Sequence, residues 1–276
     1  MEFTKMHGLG NDFIVLDGKD LPEADYGQLA VKLCDRRLGV GADGILLVLP
    51  SKTEDIRMRI INSDGSEADM CGNGIRCFAK YVFEKGIIDK ERFRIETFAG
   101  TMVPRLNTEA GKVVSVKVDM GQPVFERGRI PMTGPAGKVI NEALNVDGKI
   151  YPVTSMLMGV PHTVVFVDEL REDEILEVGP IIERHAVFPK KTNVNFVKVD
   201  NRCEIEVRTW ERGAGRTLAC GTGSCASVVA AFLNNKTDRM ATVHLEKGDL
   251  FIEYAEDGTV FMSGPAEEVF TGTLSE

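Results

Sequence analysis

Two cysteines stand in the same short context. Met70-Cys71-Gly72-Asn73-Gly74 matches Ala219-Cys220-Gly221-Thr222-Gly223, and the cysteines lie 149 residues apart. After Cys71, apolar residues fall at Ile75, Phe78, Ala79, Val82 and Phe83; after Cys220 they fall at Cys225, Val228, Val229, Phe232 and Leu233. Both sets follow helical spacing, so each thiol sits in a glycine-rich turn at a helix N-terminus. The second helix is apolar nearly all round and is expected to be buried centrally. Unpaired N–H groups and the macrodipole at such an end favour a thiolate and lower the thiol pKa from about 8.5.

One activated cysteine suggests a nucleophile or a base. Two in equivalent positions suggest stereoinversion: one thiolate removes a proton from a tetrahedral carbon, and an opposed thiol returns one to the other face. That requires the two halves of the chain to face each other across a pseudo-twofold axis. The backbone N–H groups of Gly72, Asn73, Gly221 and Thr222 are placed to hold a substrate carboxylate and the charge developing beside it.

The elements that must position these thiols are duplicated too. Gly8-Leu9-Gly10-Asn11 to Asp17 aligns without a gap with Gly159-Val160-Pro161-His162 to Asp168, which sets Asn11 opposite His162. Nine residues before Cys71 is Asn62, and nine before Cys220 is Glu211. Arg212 follows as a carboxylate clamp, since guanidinium binds carboxylate bidentately. Val114, Val116 and Val118 precede Gly121 and Pro123, as Val260 and Met262 precede Gly264 and Pro265. The boundary is therefore read near residue 120, giving an N-terminal repeat over 1–120 and a C-terminal repeat over 121–265, with a tail over 266–276 that packs back on the first. A helix is expected over 26–37, strands at 45–49, 93–97 and 114–118, and a meander over 244–246, 250–254 and 260–262. The fold class is α/β (α+β): two homologous pseudo-symmetric domains, each a mostly antiparallel sheet wrapped around a central helix.

The chain has 276 residues, 43% of them hydrophobic and 27% charged, enough apolar material for a sizeable core without disulfides. The net charge is -9 and no Lys/Arg run exceeds two residues, which argues against nucleic acid and anionic membranes as partners. No apolar run reaches the roughly 18–20 residues that span a bilayer. The N-terminus lacks the apolar core of a signal peptide, so a cytoplasmic, reducing location is expected. Cys34, Cys77, Cys203 and Cys225 are read as ordinary core cysteines. No histidine cluster or paired C-x₂₋₄-C completes a metal site. Gly39-Val40-Gly41-Ala42-Asp43-Gly44 fits G-x-G-x-x-G, but a helix pattern precedes it and a strand follows. That is the reverse of a dinucleotide fingerprint, so it is read as a helix-to-strand turn.

Three long motifs then point to a family. Lys5-Met6-His7-Gly8-Leu9-Gly10-Asn11-Asp12-Phe13, Asn62-Ser63-Asp64-Gly65 to Cys71-Gly72-Asn73-Gly74, and Glu211-Arg212-Gly213-Ala214-Gly215 to Cys220-Gly221-Thr222-Gly223 resemble diaminopimelate epimerase, over about residues 3–265. The resemblance implies an isomerase without cofactor or metal, interconverting LL- and meso-diaminopimelate for lysine and peptidoglycan synthesis. It implies two similar domains with the active site in the cleft between them, a small-molecule amino-acid substrate and a homodimer. By motif, Cys71 and Cys220 are the acid/base pair. Asn11, Asn62, Gly72, Asn73, Asn193, Glu211, Arg212, Gly221 and Thr222 match substrate contacts, and His162 and Glu211 match residues that tune or orient the site. Three positions depart from the family pattern: Val160 replaces an Asn, Arg216 a Glu, and Gly44 a Gln of some members. Val160 and Arg216 keep open an epimerase of the same fold for another amino acid. A thiol redox or binding protein, with a regulatory disulfide between Cys71 and Cys220, is the alternative from another class.

Overall fold

The computed structural model describes residues 1–18, 21 and 25–274. In chain order the strands and helices are β1 (Glu2–Gly8), β2 (Asn11–Asp17), α1 (Tyr26–Cys34), β3 (Gly44–Leu49), β4 (Ile56–Asn62), β5 (Glu67–Ala68), α2 (Gly72–Glu84), β6 (Ile95–Thr97), β7 (Gly100–Met102), β8 (Arg105–Glu109) and β9 (Lys112–Asp119). There follow β10 (Val139–Val146), β11 (Lys149–Met158), β12 (Val160–Phe166), α3 (Glu172–Glu183), β13 (Asn193–Asn201), β14 (Glu204–Glu211), β15 (Gly215–Thr217) and α4 (Gly221–Leu233). The chain closes with β16 (Met240–Leu245), β17 (Gly248–Tyr254), β18 (Val260–Gly264) and β19 (Glu267–Thr273). Two compact units result: Met1–Asp119 with Ser263–Glu276, and Met120–Met262. Residues 275 and 276 of the expected tail lie outside the described residues.

In the first unit the sheet order is β19-β1-β2-β3-β4-β6-β7, with β5 on β4. Neighbours are antiparallel except β2 with β3 and β4 with β6. In the second unit the order is β10-β11-β12-β13-β14-β16-β17-β18, with β15 on β14, and the parallel pairs are β12 with β13 and β14 with β16. Parallel neighbours need a crossover, and each unit makes two. The first runs through α1 or α3. The second runs through a short return strand and then α2 or α4. The duplication read from the sequence is thus a duplicated order of elements.

Each unit therefore has a second helix beside its central one: α1, as the spacing over 26–37 predicts, and α3. The four middle residues of β3 are all buried because both faces of the sheet are covered. Ile14, Leu16, Ile45 and Leu47 pack with Ala30, Leu33 and Cys34 of α1. The alternate residues face α2, where a Cβ on Gly74 would lie 3.3 Å from Leu46 Cδ2 and 3.5 Å from the Phe13 ring. In the second unit Ile175, Val178 and Ile182 of α3 pack on Val153, Val165, Val194 and Phe196. Helix α4 is buried from Gly223 through Ala231, as its all-round apolar pattern requires.

Helix α1 stops three residues before the expected Arg37. The Asp35 carboxylate accepts from the N–H of both Arg37 and Leu38 at 2.7 Å, and this local turn competes with further helix. The G-x-G-x-x-G stretch is the loop from α1 into β3, with Gly41 at φ +81°. Helix α3 was not expected: an acidic first turn and an internal Pro180 mask its apolar spacing.

Helix α3 approaches the sheet closely at Gly179, where a Cβ would lie 2.9 Å from both Cβ and Cγ of Trp210. Gly179→Ala is expected to cost about 1–3 kcal/mol of overpacking, against a helix-propensity gain of roughly 1 kcal/mol. Gly128→Ala, with nothing within 4 Å of the new Cβ, serves as the neutral control. Thermal unfolding followed by Trp210 fluorescence checks this; equal melting temperatures for the two variants would refute the close packing.

Candidate active site

Cys71 is the N-cap of α2, with extended backbone (φ -141°, ψ 120°). Its sulfur accepts from the Gly74 N–H at 3.4 Å, filling the role usually taken by a capping oxygen. The sulfur also donates to Asn11 Oδ1 at 3.6 Å. The same oxygen accepts from Asn73 Nδ2 at 3.1 Å. Asn11 opens β2, and its Nδ2 donates to Asp43 Oδ2 at 2.7 Å. Asn62 ends β4, and its Nδ2 donates to Ser66 Oγ at 3.0 Å in the turn leading to β5. The motif residues Asn11, Gly72 and Asn73 thus gather around Cys71, while Asn62 sits at the strand end that leads toward it.

Cys220 is the N-cap of α4, again extended (φ -127°, ψ 109°). Its sulfur lies 3.5 Å from Thr222 Oγ1. A Cβ on Gly223 would lie 2.4 Å from Asn195 Oδ1 and 3.2 Å from the sulfur, so only glycine fits there. Glu211 ends β14 as Asn62 ends β4. In each unit the nine-residue spacing is a strand end, a turn, a short return strand and the cap. The Glu211 Oε1 accepts from Thr217 Oγ1 at 2.6 Å across the β14–β15 hairpin. Burial pushes the Cys220 thiol well above its ordinary value, and the Glu211 charge and a hydrogen bond to it push the same way. The Thr222 hydroxyl and the Gly223 N–H pull it down but do not prevail. The lowered thiol pKa expected at this helix N-terminus is therefore corrected for Cys220: desolvation outweighs the dipole.

His162 is fully buried in β12, with Asn193 of β13 as its parallel partner. Its Nδ1 meets Asn195 Nδ2 at 3.1 Å, and Asn195 Oδ1 accepts from Thr209 Oγ1 at 3.1 Å. An amide nitrogen only donates, so Nδ1 is the acceptor and the ring proton sits on Nε2, a buried atom with no partner. Burial, helped by the Arg212 charge, lowers the imidazole to about 3 and keeps it neutral. Asn193 Oδ1 accepts from the Arg212 N–H at 2.7 Å, and the exposed Arg212 donates from Nη1 to Lys190 O at 3.1 Å. Asn195 was missed from the sequence, although a polar residue between Val194 and Phe196 in a buried strand was a readable signal. Glu183, 2% exposed, was missed as well; it holds the Gly213 N–H at 3.2 Å and Trp210 Nε1 at 2.9 Å, tying α3 to the Arg212 turn.

None of the six cysteines forms a disulfide. Burial raises Cys34 to about 11 and Cys77 to about 12, as core thiols. Cys203 corrects its expected burial: it is exposed in the turn after Asn201. Arg216 is held by Glu172 at 3.1 Å and by Glu246, and Val160 brings no amide to the start of β12. A Cβ on Gly44 would press on the Ile61 carbonyl at 2.7 Å. Among the described residues, no group of three His, Cys, Asp or Glu side chains is placed to hold a metal ion, and no helix is long and apolar enough to cross a membrane.

A family model for diaminopimelate epimerase matches residues 3–126 and 154–269. A diaminopimelate epimerase of Pelotomaculum thermopropionicum is 56% identical over 99% of this chain and 98% of its own length. One from Caldanaerobacter subterraneus is 53% identical over 99% of each. Among solved structures, a probable proline racemase from Agrobacterium radiobacter (TM-score 0.73, 14% identity, 99% of this chain and 92% of that one) shares the fold. So does a phenazine biosynthesis protein of the PhzF family from Bacillus anthracis (TM-score 0.71, 17% identity, 100% and 99%). With sequence similarity running the length of both chains and a fold shared with racemase-type proteins, this chain belongs to the diaminopimelate epimerase family and is an isomerase.

Proposed function

We propose that this protein interconverts LL- and meso-diaminopimelate by proton transfer between two thiols, without a cofactor, in lysine and peptidoglycan precursor synthesis. The observation that carries the mechanism is the matched pair of cysteine N-caps. Each has a thiol outside any disulfide, a hydrogen-bond acceptor for its proton (Asn11 Oδ1 or the Glu211 carboxylate) and first-turn backbone N–H groups beside it. The whole-length similarity to named diaminopimelate epimerases supports the substrate.

In the forward direction a thiolate takes the α-proton and becomes a thiol. The electron pair delocalises into the substrate carboxylate, and the second thiol delivers its proton to the opposite face and becomes a thiolate. The reverse reaction exchanges the two roles. The first-turn N–H groups of Gly72, Asn73, Gly221 and Thr222 have no intrahelical acceptor and suit a carboxylate whose charge grows in the transition state. Arg212 and Asn62 bind substrate polar groups, and Asn193 orients Arg212 through its backbone N–H. Glu211 draws the proton from Cys220, whose burial otherwise opposes ionisation. His162 contributes as a neutral N–H donor, not as an imidazolium. The family resemblance supports a homodimer working in the cytoplasm.

LL-diaminopimelate incubated with the reduced protein in heavy water is expected to exchange its α-proton as the meso isomer forms, both followed by NMR. Exchange only with another amino acid would move the substrate to a sibling epimerase, as the missing amide at Val160 allows. Silence across a panel of amino acids would defeat the enzymatic reading. Cys71→Ser and Cys220→Ser should each lower epimerisation by about 10²-fold or more; full activity in both would exclude the two-thiol mechanism.

Glu211→Gln removes a negative neighbour from Cys220. An anion disfavours the thiolate, so its loss lowers the thiol pKa, and Cys220 alkylation by iodoacetamide at pH 8 should accelerate in a Cys71→Ser background. Turnover by the single Glu211→Gln variant should nevertheless fall about tenfold or more, because the proton acceptor is gone. Unchanged alkylation would place Glu211 outside the thiol's electrostatic environment.

A further inference from the structure

We propose that Asp43 and Arg76 are positioning residues for Cys71: between them they fix the amide of Asn11 so that its oxygen, not its nitrogen, meets the sulfur. The inference rests on the two-thiol reading for its part in catalysis, but the arrangement is geometric and contained in the first unit.

Two side-chain amides lie in series between a group that only accepts and a group that only donates. At one end, Asp43 Oδ2 accepts from Asn11 Nδ2 at 2.7 Å and from the Asp12 N–H at 3.1 Å. A carboxylate offers no proton, so Asn11 must turn its nitrogen that way. At the other end, the fully buried Arg76 donates from Nη1 to Asn73 Oδ1 at 3.0 Å and to Gly72 O at 3.1 Å, and from Nε to Pro265 O at 3.0 Å. A guanidinium accepts nothing, so Asn73 must turn its oxygen toward Arg76 and its nitrogen toward Asn11. Asn11 Oδ1 then accepts from Asn73 Nδ2 at 3.1 Å and from Cys71 Sγ at 3.6 Å. The oxygen–nitrogen ambiguity of both amides is removed from the two ends. An oxygen acceptor favours the protonated sulfur; a reversed amide would present an N–H and favour the thiolate.

Asp43 is itself held in place. Its Oδ1 pairs with Arg36 Nη2 at 2.8 Å, and its backbone N–H donates to Asp12 O at 3.0 Å. Arg36 also grips Asp12 with two nitrogens, at 3.1 and 2.7 Å, and Lys5 reaches the same carboxylate at 2.7 Å. Burial alone would raise Asp12, but Arg36 and Lys5 hold it down to about 2, so the cluster stays charged. A loop that reads as a false dinucleotide fingerprint thus carries the residue that sets a donor–acceptor pattern at the thiol.

The test uses Asp43→Ala and Asp43→Asn in the full chain, each with Cys220→Ser so that Cys71 is the thiol followed. Iodoacetamide alkylation of Cys71 is measured at pH 8 without substrate, by mass of the Cys71 peptide. Asp43→Ala removes the acceptor, and the rate is expected to rise about 2–10-fold, the worth of one ordinary hydrogen bond. Asp43→Asn keeps an oxygen facing Asn11 and the Asp12 N–H, and should stay within about twofold of the parent. Both variants lose the Arg36 ion pair. If that ion pair were what mattered, the two would behave alike, and equal rates, raised or unraised, would overturn the proposal. Should Asp43→Ala fail to fold, Asp43→Ser, too short to reach Asn11, replaces it with the same expectation. With Cys220 intact, kcat should follow the same order, falling for Asp43→Ala and recovering for Asp43→Asn. Because the alkylation needs no substrate, a wild-type protein that fails to turn over diaminopimelate would defeat the proposed function and leave this result to stand or fall by itself.

Discussion

A helix that begins inside a folded unit leaves its first N–H groups without intrahelical partners, and something must meet them. Here, in the first unit, the sulfur of Cys71 meets one of them, that of Gly74. Much of the local structure follows from that choice. The cap must be extended, so a strand and a tight turn deliver the chain to it. The residue three places on must be small, because the sulfur lies over it; at Gly223 a side chain would strike both Cys220 and Asn195. The remaining first-turn N–H groups stay available for an anion. In the first unit a thiol cap and a glycine-rich turn are then one solution to one capping problem; in the second, Cys220 holds the same position without a side-chain cap hydrogen bond.

The two copies solve it differently. Cys71 is partly exposed and gives its proton to a neutral amide oxygen, fixed by charges that do not touch the sulfur. Cys220 is 6% exposed and faces a carboxylate. Burial opposes ionisation of Cys220, and the Glu211 carboxylate accepts its hydrogen bond. On the proposed mechanism both thiols serve as acid and base in turn, and they would do so from unequal surroundings. On the proposed mechanism Glu211 both stabilises the thiol at rest and accepts its proton during turnover, and the Glu211→Gln experiment separates the two roles.

The cysteines, their helices and the strand-end residues Asn62 and Glu211 were legible because they are written twice, and helical periodicity followed each copy. The first crossover of the second unit was not, because Glu172, Asp173, Glu174 and Pro180 dilute the apolar spacing of α3. The ionisation of Cys220 was not legible either. A helix N-terminus is visible in a sequence, whereas the depth at which it is buried depends on contacts between distant strands. The same holds for Asp43, Arg76 and Asn195. Each acts through other side chains, and no spacing rule along the chain records which amide a carboxylate or guanidinium will meet. What such residues leave in the sequence is a polar type in an apolar stretch, as in Val194-Asn195-Phe196, and that signal names a constraint without naming its partner.

The fold is shared at 14% and 17% identity with a probable proline racemase and a PhzF-family protein, so the arrangement of strands and helices does not choose the substrate. The choice lies in what each loop presents. Arg216 illustrates how a loop can change without changing that presentation: its guanidinium is spent on Glu172 and Glu246, so its side chain braces β15 against its neighbours. Val160 is different in kind. A side chain with no donor or acceptor cannot be reoriented into a contact, so any polar group of the substrate that would have met an amide there must be met by another residue or by water. An uncompensated loss would leave a buried polar group unpaired, at a cost of about 1–3 kcal/mol. That cost would fall on substrate binding. It would appear in KM before kcat, and that is where a difference between this chain and its relatives should be sought.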